Sequence, residues 1–111
     1  MKEKVISRLM ELPEEIKNTE IRVIELHDKL QEAKEDLEEL KADILLGRVE
    51  DVVINGKNAE IRDAQLRQYT AVRRTAVEIA ERVLADVKIL LNNKNNEFKA
   101  MRAIARMLGD E

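Results

Sequence analysis

No cysteine or tryptophan occurs among the 111 residues, and the chain has one proline, three glycines and one histidine. Without cysteine there is no disulfide framework, no thiolate zinc site and no cysteine nucleophile, and nothing favours an oxidising compartment. His27 stands alone, so no histidine-based metal cluster forms within one chain and a catalytic triad has no independent support. Tyr69 and Phe98 are the only aromatics, which removes most of the stacking surface that binding to single-stranded nucleic acid uses. No apolar run approaches the ~18 residues needed to span a bilayer, and the first residues, MKEKVISRLMELPEE, carry charge through what would have to be an apolar signal core. The expectation is a cytoplasmic, non-enzymatic protein with no membrane segment, no metal and no cofactor.

Against these absences stand 44% hydrophobic and 39% charged residues. Burial must then come from aliphatic side chains meeting along seams, as in long packed helices. In the first half the apolar residues alternate by four and three. Ile16, Val23, Leu30, Leu37 and Ile44 take one seam position, Leu12, Leu26, Ala33 and Leu40 the other, and Thr19 is the one polar interruption. Pro13, followed by Glu14 and Glu15, suits a first helical turn. The pattern predicts a main helix from about 13 to 46, with a separate short helix over 2–12 on the same seam, and Gly47 as its C-terminal cap.

A second helix is predicted over about 59–108, capped by Asn58. Its seam becomes strict from Leu84 through Val87, Leu91, Lys94, Phe98, Met101, Ala105 and Leu108, with only Lys94 out of character. Residues 92–96, NNKNN, weaken it, because asparagine side chains compete for the backbone. Either a kink in a continuous helix or a break at 92–96 follows.

The charge is unevenly spread. Residues 1–55 hold 9 Lys+Arg against 15 Asp+Glu and residues 56–111 hold 11 against 8, so the halves carry −6 and +3. Folding the helices back about the loop 47–58, so that opposed positions add to about 105, sets acids between Glu32 and Asp43 against Arg62, Arg67, Arg73 and Arg74. The expected fold is thus all-α: one domain, a long antiparallel helical hairpin resembling a coiled coil. Ile21, Ile24, Val77 and Ile79 fall outside a single stripe, which predicts self-association into a four-helix arrangement, most simply a homodimer.

Two surfaces stand out as candidates. The β-branched tip, Val52, Val53 and Ile54 with Lys57, is unusual for a connector, and is expected either to cover the end of the hairpin or to pair with a protein partner. Arg67, Arg73, Arg74, Lys99, Arg102 and Arg106 are weaker candidates for contacts with nucleic acid. The single glycine of INGKN falls short of a phosphate-binding loop. The stretches INGKNAEIRDAQL and NEFKAMRAIARML resemble small helical proteins encoded by phages and prophages of Gram-positive bacteria, often beside genes of recombination and replication. That resemblance implies a setting without an established activity. It is compatible with an adaptor, a nucleic-acid-associated accessory factor, or an inhibitor of a host nuclease or defence protein.

Overall fold

A computed structural model describes residues 1–109, which form three helices: α1 (Lys2–Leu45), α2 (Ala59–Tyr69) and α3 (Ala71–Gly109). The chain divides into two compact units, one built from residues 1–26 with the stretch from Val83 onward, the other from His27–Arg82. No described helix is long and apolar enough to cross a membrane.

In the first unit, α1 and α3 pack antiparallel. Val5, Leu12, Thr19 and Leu26 are buried at seven-residue intervals, and Leu84 is buried on α3. Leu91, Phe98, Met101, Ala105 and Leu108 follow on α3, half-buried. Thr19 satisfies its hydroxyl locally, donating to the Glu15 carbonyl at 2.7 Å, so this polar seam residue costs no unpaired group. Lys94, the other exception, donates from Nζ to Glu15 Oε1 at 2.7 Å. Arg8 meets Glu97 twice, Nε to Oε2 at 2.7 Å and Nη2 to Oε1 at 2.8 Å. Positions 8 and 97 add to 105, the expected register, and positions 15 and 94 add to 109.

One expected helix start is absent, and of the two alternatives at 92–96 the continuous helix is found. Pro13 lies inside α1 instead of opening it, and residues before it belong to the same helix. An interior proline forfeits one backbone hydrogen bond and presses on the carbonyl four residues earlier, a cost of ~3 kcal/mol. Here Leu12, fully buried, holds the chain on one side, and the Arg8 guanidinium bridges the proline by bonding Glu15. The Asn92–Asn96 run is likewise continuous helix. Asparagine costs roughly 0.5 kcal/mol per residue relative to alanine, and Lys94 and Glu97 tie this turn to α1. The break falls at Thr70 instead.

In the second unit, α1 closes with two bonds, Gly47 N–H to the Ile44 carbonyl at 3.1 Å and Arg48 N–H to that of Asp43 at 2.8 Å. Gly47 has φ +72°. This is the Schellman arrangement, in which a left-handed glycine lets the chain satisfy the last helical carbonyls. Asn58 caps α2 as expected, accepting from Ile61 N–H at 2.9 Å. Thr70, 1% exposed, separates α2 from α3. Its N–H and Oγ1 both bond the Leu66 carbonyl, at 3.0 and 2.8 Å.

The expected ladder of arginines against acids is mostly absent. Of Arg62, Arg67, Arg73 and Arg74, only Arg73 has a carboxylate within 4.0 Å among the described residues, that of Asp36 at 4.0 Å. The interruption at Thr70 explains part of this. It leaves the Arg67 carbonyl open at the end of α2, and Arg74 Nη2 takes it at 2.7 Å. Arg62 Nη1 bonds the Gly56 carbonyl at 3.2 Å. Carbonyls left open by turns and helix ends are competing acceptors for these side chains.

Candidate functional site

The tip is docked onto α2. Gln65 Oε1 accepts from Asn55 N–H at 3.2 Å and Gly56 N–H at 2.9 Å, and its Nε2 donates to Asn55 Oδ1 at 2.9 Å. Val52 and Ile54 are half-buried while Val53 and Lys57 are exposed. The four therefore do not form one exposed group: residues 52–54 alternate as an extended segment does, one face turned inward. The N–H groups of Asn55 and Gly56, which follow this segment, are already engaged by Gln65.

The basic candidates fall into two separate sets. Lys99, Arg102 and Arg106 line one face of α3 with Ala103 between them, at three- and four-residue spacing. Arg102 sits over the Phe98 ring, 5.8 Å from its centroid. Arg67 and Arg74 instead share a cleft of about 420 Å³ at the α2–α3 junction, lined also by Lys41, Asp63, Leu66 and Thr70. Arg73 lies apart, near Asp36.

Two features escaped sequence reasoning. One is that cleft, which exists because the helix breaks at Thr70. The other is a shallow, open apolar groove along one face of α3, lined by Ala71, Val72, Thr75, Ala76 and Ile79. Val72 is 83% exposed and Ile79 55%. The available signal was the spacing Val72, Ala76, Ile79, a second four-three stripe beside the seam formed by Val77, Ala80 and Leu84.

The charged group of the first unit is organised around Arg8. Its guanidinium bonds to Glu97 and Glu15 raise its own pKa further above the usual range. Hydrogen bonds from Arg8 first, then Lys94, hold the Glu15 carboxyl below the usual 4.5, and Arg8 does the same to Glu97. All four side chains are partly exposed, and each is paired across or along the helices. Such a group selects orientation and register.

Among the described residues no cluster of three or more His, Cys, Asp or Glu is placed to hold a metal ion. Comparison with protein-family models, with curated proteins and with solved structures finds no match to this chain.

Proposed function

We propose that this chain is a non-enzymatic interaction protein that works as a homodimer, with the α3 groove as its self-association surface. The observation behind this reading is the order of side chains along that groove. A large residue, Val72, is followed by the small pair Thr75 and Ala76 and then by another large one, Ile79. That order reads nearly the same in both directions. Under a twofold axis between positions 75 and 76, Val72 of one copy meets Ile79 of the other, and the small residues let the two backbones approach. Isologous interfaces require this kind of self-complementarity.

The dimer would act as an adaptor, offering Val53 and Lys57 at the tip of each copy to another protein. The resemblance to phage and prophage proteins supplies a setting for such an accessory factor. A second reading, association with nucleic acid, is favoured by one observation, the face of Lys99, Arg102 and Arg106; its mark would be a gel shift that weakens steeply with salt.

Light scattering at micromolar concentration tests the main reading. The expected mass is twice that of the chain, and Val72→Glu combined with Ile79→Glu should halve it while leaving helical content unchanged. A monomeric native chain would refute it.

A further inference from the structure

We propose that the cleft at the α2–α3 junction binds a phosphate dianion, either free or as a phosphate monoester. The proposal goes beyond the dimer reading and does not depend on it. The cleft contains Lys41, Arg67 and Arg74 against one carboxylate, Asp63, a net charge of +2. Lys41 is partly compensated from outside the lining, with Nζ 3.2 Å from Glu38 Oε1.

Arg74 carries the argument. It is half-buried, its Nη2 is spent on the Arg67 carbonyl at 2.7 Å, and its Nε is buried with no hydrogen-bond partner. No described carboxylate lies within 4.0 Å of it, although Asp63 lines the same cleft. A half-buried cation with no carboxylate partner is under-compensated, and a bound ion is one explanation for an orphaned polar atom in a folded protein. An anion in the cleft would compensate the guanidinium charge.

Two further points select phosphate. Guanidinium groups present a planar fork of donors that matches phosphate oxygens. Arg67 is exposed and free of ion pairs among the described residues, so it can turn toward a ligand at little cost. The absence of a glycine-rich loop does not count against this, because the donors here are side chains.

The test is a titration of the full chain, followed by proton–nitrogen NMR, with inorganic phosphate, with phenyl phosphate, and with sodium chloride at matched ionic strength. Saturable shifts of the Arg74 side chain and of the amides around Thr70 are expected with both phosphates and not with chloride. Arg67→Gln and Arg74→Lys should each weaken binding about tenfold, the equivalent of one lost charge-assisted contact. Lys99→Gln with Arg102→Gln should leave it unchanged. Similar affinity for both phosphates would identify the free ion as sufficient. Binding of the ester about tenfold more tightly would identify a phosphorylated molecule. No saturable shift with either phosphate, an equal response to chloride, or full affinity in a folded Arg67→Gln protein would overturn the proposal. If Arg74→Lys fails to fold, the native titration and Arg67→Gln decide the matter.

Discussion

A methyl group added at Gly56 would place its carbon 2.6 Å from Ile61 Cγ2 and 3.0 Å from the Arg62 nitrogen. Neither neighbour yields easily, since both belong to the first turn of α2, which Asn58 caps. Gly56→Ala should therefore destabilise the protein by about 1–3 kcal/mol in urea unfolding, as overpacking does. Gly47→Ala meets no atom within 4 Å but must adopt φ +72°, so its expected cost is lower, about 1 kcal/mol. The sequence placed both glycines in the loop 47–58, yet only Gly47 could be given a reason there, its place after the last seam residue. The close approach at Gly56 depends on the tip folding onto α2, which no local pattern encodes. Charge adds a pH dependence. Glu15 and Glu97 titrate below the usual 4.5 in the folded protein, so their contribution is complete above the unfolded-state value and is lost as pH falls through the folded values. The thermal midpoint should drop on acidification through this range, and Arg8→Gln should flatten the drop, as circular dichroism melts at stepped pH would show.

Seam periodicity in α1 was legible because its buried positions keep two heptad phases, Val5, Leu12, Thr19 and Leu26 in one and Leu30 and Ile44 in the other. Local composition misled at Pro13 and at Thr70, and left 92–96 open between a kink and a break. Pro13 and the asparagine run are unfavourable locally, but contacts distant in sequence, Arg8 with Glu97 and Glu15 with Lys94, hold those turns helical. Thr70, by contrast, looks harmless in the sequence and is where the helix breaks. Lys94 offers a direct test of what the polar contacts contribute. Lys94→Leu would continue the aliphatic seam while Glu15 keeps Arg8 as a partner. Replacing a partly buried ion pair with a packed apolar residue is often neutral or stabilising. Urea unfolding should therefore show equal or greater stability. The expected loss is in specificity, because the apolar seam alone does not fix register. It would be read as broadened amide signals from residues 84–109.

The candidate surfaces were only partly legible before the structure was known. Lys99, Arg102 and Arg106 do share a face, as their spacing implies, but Arg67 and Arg74 belong to a cleft that Thr70 creates. The groove from Ala71 to Ile79 went unnoticed as a unit, since Ile79 alone was marked as lying off the seam. If that groove joins two copies, folding and association are linked, and apparent stability must depend on protein concentration. Each tenfold increase in concentration should then raise the unfolding free energy by about 1.4 kcal/mol per dimer. Thermal melts of the native chain across a hundredfold concentration range should show a rising midpoint, and Ile79→Glu should remove the dependence while the melt stays cooperative. Val53→Glu, a change at the equally exposed tip, should leave the dependence intact. The pair of variants thus separates the groove from exposed apolar surface in general: a midpoint that rises equally in both would place the association elsewhere on the molecule.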